Sequence, residues 1–543
     1  MKPAQTAALN SQESELLARY RQHFNADIGM VDFRPEAPSA VFTLEFIRLL
    51  CRNGKKADMT MASQAIEGFF RPQILCPDDE NFGWIPLQIG ATYRDKNAPL
   101  FHIPHLVEAA SCTKLPKETR TLLDEGLRRL FTAAERRWDE EIFDPHRDFK
   151  AYTNVFLMHI QALLLGARYL GLPRRERRAE AEWQRWFNHV AYLGLDEFAS
   201  TTYHEVDHET LTRMVGLFQN PRIVSQIRMV LTHIEAVQKS IEHPRLGLPI
   251  CGSSRDYRRF LKPASGRFKP FVGKPPVTRR TFPYEAEGRG TATPFRFKSW
   301  QNSHCGLGTM TGGTYFWQNI HGLVAVGDSA SRRELAFLPG TFSTTPGYCE
   351  QQGSRALFVF GRVPVSLYRT QIPTPDDEIP SRSEILGVGV TPGWSVVADQ
   401  PGRLHLAAHG HELFLDAFAV ESGLCVPVQL KRVRRQAGET LRLACRFEVE
   451  IDEYEFPPAA SWFGVVVELR RATANVPAIA RVDRELDDRC QTFRADSLAV
   501  RLFKTPTGEQ VQMYRDDWRT TPLFLSPDHV LWPGQWLQET VNS

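Results

Sequence analysis

The sequence lacks the features that place a protein in or across a membrane. No stretch approaches the ~18 uninterrupted apolar residues that a transmembrane helix requires. Residues 1–17 (MKPAQTAALNSQESELL) contain no apolar core of a secretory signal. We therefore expect a cytoplasmic protein without a membrane partner, or a periplasmic or secreted one if a leader is missing from this chain.

Cysteine pairs and nucleotide-binding motifs are also missing. The nine cysteines are scattered, odd in number and never arranged as CxxC, so neither a disulfide framework nor a zinc cluster is indicated. The chain has no P-loop, GxGxxG or GxSxG motif, which leaves nucleotide and serine-hydrolase chemistry without support. We expect reduced thiols, no metal and no cofactor.

An excess of charge of one sign is the third absence. The formal net charge is only +3, which argues against a dedicated nucleic-acid-binding protein. Two local basic runs occur, at 174–178 (RRERR) and 431–435 (KRVRR). They fit a solvated helix turn and a hairpin tip, or a positive groove for an anionic chain. Nothing here indicates an oligomeric state.

The periodicity of the sequence changes near its middle. Up to residue 243, apolar residues recur at three- and four-residue steps, as in 39–50 (SAVFTLEFIRLL), which predicts about nine or ten paired helices. Residues 244–281 are rich in Pro, Gly, Arg and Lys and predict a long connection. Alternating segments separated by turn residues follow, a pattern typical of antiparallel sheets.

These patterns predict an α+β multidomain protein, in which an incomplete (α/α) toroid precedes a large antiparallel β-sandwich. The predicted boundaries are a helical domain at 1–243, a linker at 244–281, a sandwich at 282–475 and a small β region at 476–543. No fixed repeat period supports a regular solenoid.

Two polar clusters interrupt the helical half. Asn154 opens the apolar helix that follows it, and Tyr203 and His204 end the segment 197–204 (EFASTTYH). An amide can neutralise a carboxylate, and a phenol or imidazole can move a proton. These are the residue types that the β-elimination of a uronic acid requires, because removal of its C5 proton depends on neutralising the adjacent carboxylate.

Each of these residues also has a structural alternative. Asn154 fits a helix N-cap and Tyr203 fits a core phenol whose hydroxyl bonds to a loop. His204, with Asp207 and His208, fits a charged first helical turn. A metal site at His204 and His208 has the i, i+4 spacing but no evident third ligand.

The strand half contains a third cluster, at 298–309 and 314–321. Aromatic rings beside amides suit a sugar, which has apolar faces and polar edges. The candidate ligands of the substrate there are Trp300, Gln301, Trp317 and Gln318, and His304 is the candidate for a second acid or base. The alternative is the edge of a sandwich whose aromatics belong to the core.

A polar, aromatic loop before residue 101 supplies Trp84, Asp95 and Asn97 as further substrate-binding candidates. A helix-capping loop, with Asp95 or Asn97 as the cap, explains the same residues. Glu197 completes the set of substrate-binding candidates.

At these clusters the chain resembles the heparinase II/III-like and alginate-lyase-like polysaccharide lyases. Residues 151–158 (AYTNVFLM) resemble the inner helix that bears a carboxylate-neutralising Asn, and 195–203 (LDEFASTTY) are similar to the family's E-F-x-S-P-T-Y loop with its catalytic Tyr. Residues 304–309 with Trp317 and Gln318 resemble the first sandwich strands. Thr202 stands in place of the motif's Pro, and the family's H-x-H-x-D segment is missing.

The resemblance implies a lyase that cleaves a uronate-containing poly- or oligosaccharide by β-elimination, with Asn154, Tyr203, and His204 or His304 as the catalytic groups. Two other functions stay open. A glycoside hydrolase on the same scaffold would need two carboxylates, for which Glu197, Asp95 and Glu205 are the candidates. A non-catalytic carbohydrate-binding protein would use Trp84, Trp300 and Trp317.

Overall fold

The structure is a computed structural model, described here for a defined set of residues. These are 9–33, 38–90, 95, 97–138, 153–193, 195, 199–200, 203–253, 279–290, 295–312, 320–339, 347–361, 384–390, 393–421, 423–428, 431–434, 441–446, 462–473, 475–487, 490–504, 510–513 and 524–525.

Helices come first along the chain. The described residues contain nine: α1 (Ser11–Gln22), α2 (Ala40–Asn53), α3 (Lys56–Phe70), α4 (Ala98–Ala110), α5 (Lys117–Arg137), α6 (Thr153–Leu170), α7 (Pro173–Leu193), α8 (Tyr203–Val215) and α9 (Pro221–Ile241). Among them, no helix is both long and apolar enough to cross a membrane.

The strands of the N-terminal half form two short hairpins, β1 (Phe24–Asn25) with β2 (Met30–Val31) and β3 (Glu242–His243) with β4 (Leu248–Pro249). The other described strands follow: β5 (Tyr284–Gly290), β6 (Phe295–Asn302), β7 (Cys305–Gly312), β8 (Gly322–Val326), β9 (Arg333–Pro339), β10 (Gly347–Gln352), β11 (Arg355–Gly361), β12 (Glu384–Val390), β13 (Ser395–Gln400), β14 (Arg403–Ala408), β15 (His411–Glu421), β16 (Leu424–Pro427), β17 (Lys431–Arg434), β18 (Leu441–Arg446), β19 (Trp462–Arg471), β20 (Asp483–Leu486), β21 (Cys490–Ala495), β22 (Leu498–Lys504), β23 (Gln510–Met513) and β24 (Phe524–Leu525). Helices and antiparallel sheets together confirm the predicted α+β class.

Backbone contacts divide the chain into two compact units. The first consists of Met1–Phe187 with Glu209–Ile227, and the second of Asn188–His208 with Arg228–Ser543. Residues 188–208 and 228–243, which the sequence places in the helical domain, therefore make their contacts mainly within the second unit. The predicted four-part division stays a prediction.

The first unit is built from helices that pack along apolar faces. Its helices begin at recognisable caps: Asn10 and Glu13 form a capping box at α1, and the Ser39 side chain accepts from the Phe42 amide at α2. Gly54 ends α2 in the left-handed conformation, at φ 65°, which glycine adopts without strain.

The second unit is organised around three antiparallel sheets. A nine-stranded sheet has the order β17-β18-β12-β9-β8-β7-β6-β5-β24, and a seven-stranded sheet has the order β10-β11-β19-β15-β14-β13 with β16 beside β15. Residues of both sheets, such as Leu307 and Phe337 in one and Leu415 and Val467 in the other, share one buried core. The opposite face of the seven-stranded sheet packs on a four-stranded sheet, β20-β21-β22-β23.

The nine-stranded sheet also has a second covered face. Ala199, Val237 and Ile241 pack there against Phe297 of β6 and Met310 of β7. The chain after β4 lies close to this face as well, because a Cβ on Gly308 would come within 2.5 Å of the Cys251 backbone. The loop before α8 and the end of α9 are thereby fixed to the sheet.

Candidate functional site

The start of α8 is fixed by one buried serine. The Ser200 hydroxyl accepts a hydrogen bond from the Tyr203 amide at 3.1 Å, and the Ser200 carbonyl accepts one from the His204 amide at 3.0 Å. Ala199, just before it, has a positive φ of 51°, an uncommon conformation for a residue with a Cβ. This turn therefore places two predicted catalytic residues, Tyr203 and His204, at consecutive positions at the start of α8.

Ionisable side chains gather in this part of the second unit. Tyr203 is 7% exposed, and His204 and Asp207 are buried. One turn further, His208 Nε2 lies 3.4 Å from Glu235 Oε1 of α9. We refer to Tyr203, His204, Asp207 and His208 of α8 with His233 and Glu235 of α9 as the α8–α9 polar cluster.

His233 of α9 is a deeply buried base of this cluster. Burial, together with the smaller effect of the nearby His204 charge, lowers its pKa to about 3. The imidazole therefore remains neutral at physiological pH, because a cation there would lose its hydration without compensation. A neutral ring beside His204 can donate one hydrogen bond and accept another, but it adds no positive charge.

The sequence analysis missed His233. Its position on α9 follows the apolar residues Ile227 and Val230 at three-residue steps, and it is as deeply buried as they are. The sequence feature that could have identified His233 is a polar residue at a core-facing position of an amphipathic helix.

A second polar region lies where β6 meets the end of α9. The Gln301 amide nitrogen donates to the Ile241 carbonyl at 2.9 Å and to the Ser299 hydroxyl at 3.1 Å, and its oxygen accepts from Arg280 at 2.7 Å. Gln301 is fully buried. Its side chain therefore serves to join β6, α9 and the chain before β5.

His304, predicted as an acid or base, lies exposed in the turn between β6 and β7. Arg245 Nη1 lies 2.7 Å from its Nε2. A guanidinium group only donates, so this ring nitrogen accepts and carries no proton. The imidazole is thus already engaged at the atom that would act as the base.

His243 stands next to this pair but is a structural histidine. Its Nδ1 accepts from the Arg245 and Leu246 amides, both at 3.2 Å, and its Nε2 donates to the Asn302 carbonyl at 2.7 Å. Burial lowers its pKa to about 4, so the ring stays neutral. Trp300, one of the predicted sugar ligands, is partly buried and packs against the core shared by the two large sheets.

The remaining predicted residues lie in the first unit or outside the residues that the structure describes. Asn154 is the second residue of α6 and is buried. Asn154 belongs to the first unit, whereas Tyr203 belongs to the second. Glu197, Trp317 and Gln318 lie outside the described residues, as does the side chain of Glu205.

The loop before α4 is tied together by Trp84 and Asp95. The Trp84 indole donates to the Asp95 carbonyl at 3.0 Å, and the Asp95 carboxylate accepts from the Asn97 amide at 2.8 Å. The Asp95 carbonyl also accepts from the Ala98 amide at 3.0 Å. Asp95 therefore organises the start of α4, and Trp84 is buried while doing so. The Asn97 side-chain oxygen is buried and accepts no hydrogen bond from the described residues.

No cluster of three or more His, Cys, Asp or Glu side chains in the described part of the chain is arranged to hold a metal ion.

The two ends of the α8–α9 polar cluster differ in the groups that they contain. Tyr203 and His204 bear groups that transfer protons, whereas the His208–Glu235 pair is half-buried and resembles an ordinary link between helices.

Comparison of the sequence with protein-family models and with curated proteins gives no match. Among solved structures, the chain is similar to heparan sulfate lyase HepC from Pedobacter heparinus, with 9% identity over 94% of this chain and 90% of that chain, at a TM-score of 0.33. It is similar to a heparinase III gene product, with 8% identity, 93% and 90% coverage and a TM-score of 0.37.

A third similar structure is chondroitin AC lyase from Streptomyces coelicolor A3 in complex with chondroitin sulphate, with 10% identity, 91% and 84% coverage and a TM-score of 0.42. Scores and identities this low carry no argument about what this chain does.

Proposed function

We propose that the protein is a lyase that cleaves a uronate-containing poly- or oligosaccharide by β-elimination. The main support for this proposal is that Tyr203, His204 and Asp207 lie within two turns at the start of α8, with neutral His233 close to His204. The proposed architecture is an incomplete (α/α) toroid followed by a β-sandwich, with an acidic glycan as the partner and no nucleic acid or membrane.

The reaction needs three tasks. A base removes the C5 proton of the uronate, the carboxylate on C5 is neutralised so that the developing enolate is stabilised, and an acid protonates the oxygen that leaves C4. The electron pair of the C5–H bond forms the C4–C5 double bond as the C4–O bond breaks. The resemblance in sequence gives neutralisation to the amide of Asn154, a prediction that rests on the sequence alone.

The proton transfers are assigned to Tyr203 and His204. The Tyr203 backbone amide donates to the Ser200 hydroxyl at the helix start, and the residue is 7% exposed. His204 supplies the partner group. His304 is the weaker choice, since its Nε2 is already the acceptor of a hydrogen bond from Arg245.

Asp207 and His233 are assigned to positioning. A ring nitrogen transfers a proton efficiently only when the other ring nitrogen and the ring orientation are fixed by a partner. We propose Asp207, one turn along α8 from His204, and His233, whose pKa is affected by His204, for that role. Trp300, which is partly buried, is proposed to contribute to substrate binding through its aromatic face.

The deciding experiment is an absorbance screen for the conjugated C4–C5 double bond of the product. Purified protein is incubated with alginate, glucuronan, pectic and glycosaminoglycan chains and with their oligomers. A rising signal on one substrate supports elimination and identifies the substrate class. New reducing ends without the absorbance would replace the proposal by hydrolysis, and binding without either product would replace it by a non-catalytic carbohydrate-binding function.

A further inference from the structure

Four turns of the second unit meet at one end of its two large sheets. They are the turn at 244–247 between β3 and β4, the turn at 303–304 between β6 and β7, the turn at 327–332 between β8 and β9, and the turn at 409–410 between β14 and β15. The end of β19 lies beside the last of these turns. Every residue of the four turns belongs to the described part of the chain.

Hydrogen bonds join the first three turns to one another. Arg245 Nη1 lies 2.7 Å from His304 Nε2, which connects the β3–β4 turn to the β6–β7 turn. The Gly327 amide donates to the His304 carbonyl at 2.8 Å. Arg332 Nη1 donates to the Leu246 carbonyl at 2.9 Å. The β8–β9 turn is therefore bonded to both of its neighbours.

Further hydrogen bonds continue these contacts onto the seven-stranded sheet. His409 Nε2 donates to the Ser331 carbonyl at 2.8 Å, which connects the β14–β15 turn to the β8–β9 turn. The Ala472 amide donates to the Gly410 carbonyl at 2.9 Å. This bond places Arg471, the last residue of β19, next to the same turn. The turns thus form one connected surface instead of four separate loops.

Most of the exposed ionisable side chains on this surface are basic. Arg245, His304, His409 and Arg471 are exposed, and we refer to these four as the basic turn cluster. Asp328 is the exposed carboxylate of the same turns. Within the residues that the structure describes, neither arginine of the cluster forms an ion pair with a carboxylate. Their charges are therefore available to a partner from solution.

We propose that the basic turn cluster binds an acidic polysaccharide through the sulfate or carboxylate groups of that chain. A guanidinium group donates to such oxyanions in a fixed fork, and an imidazole can add a further N–H donor. Because the four bases come from separate turns, they suit negative charges that recur along a chain. The class of partner rests on the proposed function, and the cluster adds a contact with the glycan outside the groups assigned on α8.

Other anionic partners fit this surface less well. Insertion into a membrane surface uses large exposed apolar side chains, and Leu246, the large apolar residue of these turns, is fully buried. Single-stranded nucleic acids stack their bases on aromatic rings, and the four turns contain no Phe, Tyr or Trp. Charge without apolar or aromatic neighbours therefore favours an acidic glycan.

The test measures the binding of fluorescein-labelled heparin and alginate oligosaccharides to the full-length protein by fluorescence anisotropy. Every sample carries Tyr203→Phe, so that the proposed turnover does not consume the probe. At least one of the two acidic probes should bind, and neutral dextran should not. Binding should weaken as NaCl is raised from 50 to 500 mM, because salt screens exposed charges.

Three substitutions change the charge of the surface in opposite directions. Arg245→Gln and Arg471→Gln should each weaken binding by about 3-fold, and the two together by about 10-fold. Asp328→Asn removes the opposing charge and should strengthen binding by about 2-fold. A gain of affinity cannot result from misfolding. Arg481→Gln is the matched control, because this exposed arginine already pairs with Asp483 at 3.0 Å and its loss should leave the affinity unchanged.

The outcomes separate this proposal from the lyase proposal. Unchanged affinity in the double variant, no gain in Asp328→Asn, or no binding of either acidic probe would overturn the assignment of the basic turn cluster. Tighter binding of a 20-nucleotide DNA or of phosphatidylserine vesicles than of both oligosaccharides would replace the glycan by that partner. Absence of the unsaturated product in the absorbance screen would overturn the lyase proposal and leave these affinities as measured.

Discussion

Two polar regions of the second unit both contain a buried histidine but differ in the other polar groups around it. Around β6, the Gln301 amide and the His243 ring direct their hydrogen bonds to backbone and side-chain partners of neighbouring segments. At the start of α8, Tyr203, His204 and Asp207 lie buried close together on one helix. Buried histidines thus occur both where polar side chains hold segments together and where ionisable groups are concentrated on one helix.

This difference shows that residue type alone does not identify a reactive group. An amide or imidazole whose polar atoms are all engaged by the protein has nothing left to offer a substrate. The Tyr203 backbone amide donates to the Ser200 hydroxyl, which fixes the start of the helix that carries the phenol. The four experiments below test the contrast, in order of decreasing expected effect.

Tyr203→Phe should have the largest effect. Removal of the phenolic proton-transfer group is expected to lower kcat by about 100-fold or more on the substrate that the absorbance screen identifies. The fold should be retained, because only a hydroxyl group is lost. Initial rates and circular dichroism measure the two properties.

The matched control is Tyr169→Phe in the first unit, where the hydroxyl donates to Asp124. This change should cost about 1 kcal/mol of stability and leave kcat unchanged. Equal turnover in Tyr203→Phe and the parent protein would remove Tyr203 from the mechanism.

Gln301→Leu should act on stability instead of turnover. The change removes hydrogen bonds to Ile241, Ser299 and Arg280 and leaves buried polar groups unsatisfied. We expect a loss of about 2–3 kcal/mol in the free energy of unfolding, measured by urea denaturation.

Gln352→Leu is the comparison for Gln301, since this glutamine of β10 is exposed and the expected loss is below about 1 kcal/mol. If Gln301→Leu instead raised KM strongly at unchanged stability, its role would be substrate binding, and the contrast between the two regions would fail.

The acid dependence of stability should depend on His233. Its folded-state pKa is about 3 because of burial, whereas an unfolded histidine has a pKa near 6.5. Between these values the unfolded state binds the extra proton, so the contribution of His233 to stability is present above about pH 6.5 and is lost as the pH falls toward 3.

His233→Gln should therefore reduce the slope of unfolding free energy against pH by about 1.4 kcal/mol per pH unit between pH 6 and 4. Ile234→Val, at the next position of α9, should lower stability by about 1 kcal/mol at every pH and leave the slope unchanged. An unaltered slope in His233→Gln would mean that its imidazole is already charged or solvated in the folded protein.

His304→Ala should have the smallest effect. The ring is exposed in a turn and its Nε2 accepts from Arg245, so stability should change by no more than about 0.5 kcal/mol. Turnover should fall by less than about 10-fold, which is below the range for loss of a general acid or base. A loss as large as that of Tyr203→Phe would make His304, and not His204, the partner of Tyr203.

Several of these assignments were accessible from the sequence. The change of periodicity near residue 243 predicts helices and then antiparallel strands, because burial of one face imposes a 3.6-residue period on a helix and a two-residue period on a strand. The placement of Tyr203 and His204 at a helix start follows from the polar segment before an apolar stretch. The two readings of Asp95, ligand or cap, could not be separated, since both use a carboxylate in a loop.

Other features needed the tertiary structure. Gln301 and His304 lie three residues apart in the sequence, yet one is buried with every polar atom engaged and the other is exposed beside Arg245. Their partners, Arg280, Ile241 and Arg245, are distant along the chain, and no local pattern predicts which segments will meet.

The sequence by itself determined the secondary-structure classes, since helix and strand periods are written into the spacing of apolar residues. It also determined the types of reactive group that the chain contains. Only the tertiary structure decided that His233 lies near His204, that the Cys112 thiol meets the Cys51 carbonyl, and that Ala199 packs against strands β6 and β7. The physical reason is that pKa, reactivity and hydrogen bonding depend on burial and on neighbours that long-range packing alone brings together.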